Sequence, residues 1–290
     1  MHVISAMTGR EAVLVATRDV AAFGRVVSPR GYRTRELIPV CINIKRPWDA
    51  FADGIGRDRL SRAVAAAEAL QLVAGVSRPQ LLQRIAPAFS RYTNEDGDFD
   101  GAYGPRVGDA MPDVVRRLSK DADTRQAVIP IWQPQDVHRQ ESRDYPCTLT
   151  LHFLVRDGKL RLIVTMRSND VWLGLPYDIF MFTQLQCTVA RVIGVEVGLY
   201  SHVSHSLHMY ERDSARASRL QVPPPEHEVT RLDGIATVPF YATERFPAAP
   251  SAAVVWESVR QRAERIIDGA YVTPMTDTER WYVDALGRYA

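Results

Sequence analysis

The sequence predicts an α+β (mixed α/β) protein that folds as a single domain over residues 1–290. Strand-like and helix-like patterns are interleaved without strict alternation, which suits a mixed sheet with helices packed on it. Two alternating apolar runs flank Asp157-Gly158 and read as a β-hairpin. Ser61 to Ala74 and Ile179 to Ile193 carry apolar residues at helical spacing. A chain of 290 residues can bury a large core, and it holds no internal repeat or low-complexity tract.

Residues 1 to 45 read as strands joined by turns. Val13-Leu14-Val15 and Leu37 to Ile42 are short apolar runs, and Ser28-Pro29-Arg30-Gly31-Tyr32-Arg33 is an arginine-bearing turn. The helix from Ser61 to Ala74 places Val64, Ala67, Leu70, Leu72 and Val73 as its apolar residues. Arg91 to Pro105 is a polar, glycine-containing loop, and Met111 to Leu118 a short helix. Val128 to Trp132 reads as a buried strand, and Gln133 to Tyr145 as a charged loop. In the hairpin, Leu149, Leu151 and Phe153 alternate with polar residues, as do Leu160, Leu162, Val164 and Met166. Ile179, Phe182, Leu185, Val189 and Val192 line the next helix, which ends at Gly194. Residues 212 to 250 are rich in arginine and proline, with Pro223-Pro224-Pro225 as a stiff connection. Ser251 to Ala270 has helical spacing, and Thr276 with Glu279 forms a capping box ahead of Trp281.

Composition narrows the function classes. With 46% hydrophobic and 24% charged residues the chain has the make-up of a soluble globular protein. No apolar run is long enough to span a bilayer, and the N-terminus lacks the pattern of a signal peptide. Three cysteines, Cys41, Cys147 and Cys187, make a poor disulfide set and suit a reducing compartment, so a cytoplasmic location is expected. No cysteine or histidine spacing suits zinc, and no metal is expected. A net charge of +2 argues against a nucleic-acid surface. Of the 36 basic residues only Lys45, Lys120 and Lys159 are lysine, so most cationic groups carry the forked donors that suit phosphate.

Cys147 in Asp144-Tyr145-Pro146-Cys147-Thr148 is the candidate nucleophile. The hairpin that follows it brings Arg167 to the neighbouring strand, and a nearby arginine favours the reactive thiolate. Cys41 and Cys187 lie inside apolar strand and helix patterns and read as inert.

These residues belong to a longer series: Asp121-Ala122-Asp123-Thr124-Arg125, Ile131-Trp132, Pro146-Cys147, Asp157-Gly158-Lys159-Leu160, Arg167-Ser168-Asn169-Asp170, Leu173-Gly174-Leu175-Pro176 and Leu207-His208-Met209-Tyr210. In that order they resemble the thymidylate synthase superfamily, over about half the chain. Asp178 stands where thymidylate synthases carry asparagine, Thr148 where they carry histidine, and Met166 where they carry glutamine. Those departures resemble the deoxycytidylate hydroxymethylases of phages.

The resemblance implies a large twisted mixed sheet with helices on one face and a sheet-to-sheet homodimer. It also implies a role for each site residue. Cys147 would add to C6 of a pyrimidine, making C5 nucleophilic. Arg167 and Ser168 would hold the 5′-phosphate, and Arg167 would lower the thiol pKa. Arg125 would reach into the partner's site, although Gln126 replaces the family's second arginine there. Arg30 is the candidate for a further phosphate arginine, with Arg33 and Arg25 as alternatives. His208 and Tyr210 would bind the sugar 3′-hydroxyl. Asp178 would read the base, because an ionised aspartate accepts from the cytosine N4 amine; a helix N-cap role fits its position as well. Glu68 resembles the general acid/base and water-positioning carboxylate, and Tyr103 the tyrosine near the C5 proton. Asp170, with Leu173, Tyr177, Phe89 and Tyr92, would contact 5,10-methylenetetrahydrofolate, the implied cosubstrate.

The expected reaction is C5 hydroxymethylation of dCMP or CMP. The alternatives are C5 methylation with the folate as hydride donor, as in thymidylate synthase or a dCMP methyltransferase, and a non-catalytic nucleotide-binding relative. Retention of both Cys147 and Glu68 argues against the last.

Overall fold

The computed structural model describes residues 1–53, 55, 60–220, 251–270 and 277–287. Pro223-Pro224-Pro225 and Thr276, the start of the expected capping box, lie outside them.

The first element after β1 (His2–Ala6) departs from the sequence expectation. Gly9–Phe23 is a helix, α1, and Val13-Leu14-Val15 lies inside it rather than in a strand. Thr8 caps it by accepting from the Glu11 N–H, while Glu11 accepts from the Met7 N–H, a reciprocal arrangement of the capping-box kind. Ala12, Val13, Ala16 and Val20 then fall on one buried face, so tertiary packing overrides the β preference of the valines. The apolar run Leu37 to Ile42 is two strands, not one. β2 (Arg25–Val27) and β3 (Thr34–Leu37) join one sheet, β4 (Val40–Ile44) joins another, and Pro39 separates them.

α2 (Arg62–Ala74) follows, capped by the Ser61 hydroxyl. Its alanines are buried nearly all round, which lets α4, α6 and α8 (below) pack closely against it. α3 (Pro79–Ile85) is short. The short helix expected at Met111 begins much earlier: α4 spans Tyr103–Lys120, so Tyr103 is its first residue and not part of a loop. β5 (Val128–Pro130) precedes a single helical turn, α5 (Pro134–His138), within the expected charged loop.

β6 (Thr148–Arg156) and β7 (Lys159–Met166) form the expected hairpin. Its turn residues Asp157 and Gly158 both take positive φ (54° and 70°), as the tight right-twisted turn requires. A two-residue strand, β8 (Asn169–Asp170), leads into α6 (Leu175–Ile193), which starts four residues before Ile179 because Pro176 suits a first helical turn. β9 (Glu196–Ser204), β10 (Leu207–Tyr210), α7 (Glu211–Ala217), α8 (Ala252–Ile267) and α9 (Asp277–Leu286) complete the described chain.

The main sheet is mixed and six-stranded, in the order β1-β4-β9-β7-β6-β5. A second, four-stranded sheet, β2-β3-β10-β8, was not anticipated. In the main sheet one face carries Ile42, Tyr200, Leu162, Val164, Leu151 and Phe153, fully buried beneath the helices. The opposite face, with Cys41, Asn43, Ile163, Thr165 and Val203, is half-exposed. The site lies where the two sheets meet, at the start of β6, the end of β7, β8 and β10.

Candidate active site

Cys147 immediately precedes β6 and Arg167 immediately follows β7, so the hairpin register sets them side by side: the Arg167 N–H donates to the Cys147 carbonyl at 2.9 Å. The guanidinium turns back over the cysteine loop. Its Nε donates to the Pro146 carbonyl (2.9 Å) and its Nη2 to the Tyr145 carbonyl (3.2 Å), while Nη2 stands 3.9 Å from Cys147 Sγ. The Trp132 ring lies beneath it, 5.5 Å from centroid to Cζ.

A second support comes from α4. The backbone N–H groups of Cys147 and Thr148 both donate to the Tyr103 hydroxyl, each at 3.2 Å. Gly101, just ahead of that helix, lets the chain approach closely: a Cβ there would lie 2.8 Å from the Pro146 nitrogen. Burial pushes the Tyr103 hydroxyl well above its ordinary value, with Cys147 and Asp178 adding to the shift, so Tyr103 stays protonated at neutral pH.

The thiol departs from the expectation. Burial pushes its pKa up; Arg167 opposes this most strongly, Asp178 and Asp144 add to it, and Arg30 opposes it in turn. The arginine acts in the direction expected, but desolvation of the thiolate outweighs it. Cys187 is buried and pushed up to about 12, and Cys41 is raised as well, in keeping with inert roles.

Two buried carboxyl groups lie beyond the thiol: Asp178, whose charge reaches it, and Glu68, which acts in turn on Asp178. Asp178 sits in the first turn of α6, but the N-cap is Gly174, so Asp178 is not the cap. Its Oδ2 accepts from Asn169 Nδ2 at 2.7 Å. Burial first, against that hydrogen bond and with Asp170, pushes it up to about 7. Glu68 is the one ionisable residue within α2 beyond its first position, and burial together with Asp178 pushes it up to about 8. Near neutrality Glu68 is largely protonated and Asp178 about half so, where ordinary carboxyls have lost their protons.

Around this centre Ser168 Oγ lies 3.5 Å from His208 Nδ1, and His208 packs edge-on against Tyr210 at 5.5 Å. Of the three N-terminal arginines, Arg33 pairs with Glu211 (2.7 Å) and Arg25 with Glu36 (3.4 Å). Arg30 is exposed and takes a left-handed backbone (φ 52°), a conformation that in a non-glycine residue concentrates at functional sites. Arg125 is exposed on the connection between α4 and β5, outside this group.

Asp170 Oδ1 accepts from the Trp172 and Leu173 N–H groups. Leu173 and Tyr92 are each about half exposed, at 48% and 49%, and Phe89 packs on Phe99 at 6.2 Å. The Tyr177 hydroxyl accepts from the Ser61 N–H, tying α6 to the start of α2.

Two features were not anticipated from sequence. Asn169 is buried and bound to Asp178. On β9, Tyr200 bonds His202 Nδ1 at 2.9 Å, and burial holds that histidine down to about 3, hence neutral.

The thymidylate synthase family pattern matches residues 48–233, well over half the sequence and all of this centre except Arg30. The chain belongs to the thymidylate synthase family. Among curated relatives of this thymidylate synthase family chain, the deoxyuridylate hydroxymethyltransferase of Bacillus phage SP01 is 33% identical over 207 residues, covering 66% of this chain and 54% of the relative. The deoxyuridylate hydroxymethyltransferase of Pseudomonas phage M6 is 32% identical over 151 residues, covering 50% and 43%. The chain spans about half the length of the curated relatives it matches.

Proposed function

We propose that this chain hydroxymethylates C5 of a pyrimidine nucleotide, with Cys147 as the nucleophile and 5,10-methylenetetrahydrofolate as cosubstrate. The observation that carries the reading is the placement of Cys147 Sγ beside Arg167, with the buried carboxyl group of Asp178 acting on it and that of Glu68 acting in turn on Asp178.

The residues divide the work. Arg167, Ser168 and Arg30 hold the 5′-phosphate, while His208 and Tyr210 hold the sugar. Cys147 gives its proton to solvent and adds through sulfur to C6, which makes C5 a carbon nucleophile; C5 bonds to the carbon supplied by the folate, loses its own proton as tetrahydrofolate leaves to give an exocyclic methylene, and addition of water with cleavage of the C6–S bond frees the product and Cys147. The Tyr103 hydroxyl, fixed by two backbone N–H groups, holds the cysteine loop against the ring. The folate supplies one carbon at the oxidation level of formaldehyde. Asp170 suits its ring donors, because Oδ1 is engaged by backbone N–H groups and Oδ2 is left to accept. Leu173, Tyr177, Phe89 and Tyr92 offer it apolar contact. Glu68, protonated near neutrality, orients the water that adds to the C5 methylene and moves the proton.

Asp178 reads the base at position 4. Ionised, it accepts from the N4 amine of cytosine, which favours dCMP, with CMP the alternative. The relatives' names carry deoxyuridylate, and a protonated Asp178 could donate to O4 of uracil. Methylation by hydride from the folate would use the same residues. A homodimer through the half-exposed sheet face, with Arg125 entering the partner's site, completes the proposal.

The test is incubation with CMP, dCMP or dUMP plus the folate, followed by mass spectrometry. A product heavier by one CH2O unit supports the reading. A gain of CH2 replaces it with methylation, and absence of any product sinks the enzymatic reading.

A further inference from the structure

Asn169 lies on the two-residue strand β8, only 3% exposed, with its Nδ2 2.7 Å from Asp178 Oδ2. A carboxamide N–H can only donate, so Oδ2 is fixed as an acceptor. A proton on Asp178 is then favoured on Oδ1, because the unprotonated oxygen is the stronger acceptor for the amide. The geometry is tightly enclosed: a Cβ at Gly174 would lie 3.2 Å from both Asn169 Nδ2 and Asp178 Oδ2. Asn169 is itself placed by its backbone, whose N–H donates to the Ser206 carbonyl at 2.8 Å.

We propose that Asn169 is a positioning residue for base choice: by engaging Oδ2 it leaves Oδ1 of Asp178 as the atom that meets position 4 of the pyrimidine, an acceptor for the cytosine amine when ionised and a hydroxyl donor for the uracil carbonyl when protonated. The inference rests on the reading of Asp178 as the base-reading residue and deepens it. One site would take both nucleotides, and the proton on Oδ1 would decide between them. The titratable groups that face Asp178 are Glu68 from α2, Tyr103 from α4, Cys147 ahead of β6, Asp170 on β8 and Tyr200 on β9.

The experiment is equilibrium competition between dCMP and dUMP for the full chain without folate, read as the ratio of their affinities between about pH 5.5 and 7, where Glu68 stays largely protonated. Phosphate and sugar contacts are common to both ligands and drop out. One linked proton predicts that the dCMP:dUMP ratio rises about tenfold per pH unit. Asn169→Leu removes a hydrogen bond to a charged oxygen and should move that line in parallel, roughly tenfold or more toward dUMP. Asp178→Asn should flatten it. A general loosening of the site would weaken both ligands and leave the ratio alone.

An Asn169→Leu line superimposed on the wild-type line, with Asp178→Asn flat, overturns the positioning role and spares the base reading. A wild-type ratio that does not change with pH overturns the proton choice even if no variant folds. An Asp178→Asn line identical to wild type removes the base reading itself, and this inference with it.

Discussion

Replacing Glu68 by glutamine should stabilise the protein, and the gain should grow with pH. Glu68 is raised from the ordinary carboxyl value of 4.5 to about 8, first by burial and then by Asp178. The unfolded chain therefore releases this proton at lower pH than the folded one. Below about pH 4.5 both states are protonated and the group contributes nothing. Between 4.5 and 8 the unfolded state is increasingly favoured, because only there can the carboxyl ionise freely. Integrating the linkage gives a penalty of about 1 kcal/mol at pH 5, about 3 at pH 7 and about 5 at pH 9. Glutamine, of nearly the same shape, never ionises and escapes all of it. Urea unfolding of wild type and Glu68→Gln at pH 5 and pH 8.5 measures the difference. The gap between their midpoints should widen by about 1 M or more over that range, for a slope of ~2–3 kcal/mol/M. The same variant should lose turnover. A gap of equal size at both pH values would refute the reasoning, since it would mean that Glu68 ionises as readily in the folded protein as in the unfolded chain.

Cys147→Ala should abolish product formation while nucleotide binding, measured by calorimetry, stays within a few-fold of wild type; a non-catalytic binding module would show no functional loss at all. Tyr103→Phe leaves the backbone N–H groups of Cys147 and Thr148 without their acceptor, and should cost about 2 kcal/mol in urea unfolding together with a fall in kcat. In the free protein Cys147 should react with iodoacetamide more slowly at pH 7 than an exposed thiol and accelerate as pH rises, and Arg167→Ala should slow it further, because Arg167 is the main group holding the thiol pKa down.

What the sequence disclosed about the fold follows from where periodicity is strong. The β6–β7 hairpin and the helices from Ser61, Ile179 and Ser251 have long apolar patterns, and all are present. α1 was hidden because valines at positions 13 and 15 mimic a strand, and the reciprocal Thr8–Glu11 cap was the overlooked signal. The second sheet was invisible because β8 has two residues and β2 three, too few to show a period. In the site, the Cys147–Arg167 pairing could be read because a hairpin register connects residues twenty positions apart. The direction of the thiol shift could not, since it depends on how much of the surrounding protein excludes water. Asn169 stood in plain view beside Asp170, yet its bond to Asp178 lies in the space that Gly174 leaves by lacking a Cβ, which no spacing rule conveys.

The raised groups share a consequence for how the site would begin to work. Glu68, Asp178 and Cys147 all hold protons more firmly than in water, and burial is the largest cause in each case. A site resting in that state protects its thiol from chance electrophiles, and becomes nucleophilic only when something offsets the desolvation. Arg167 cannot supply that alone. Its Nε and Nη2 are committed to the Pro146 and Tyr145 carbonyls, and Nη2 is also the nitrogen nearest the sulfur. What is left for a phosphate is the Nη1 side of the fork, so one guanidinium can clamp the cysteine loop and grip the nucleotide together. Lysine has no fork and could do only one of these. Arg167→Lys should therefore lose more in kcat than in nucleotide affinity, since a point charge still attracts the phosphate while the loop that aims the sulfur goes slack. An equal loss in both, measured by single-turnover kinetics alongside binding, would show that the arginine serves the phosphate alone.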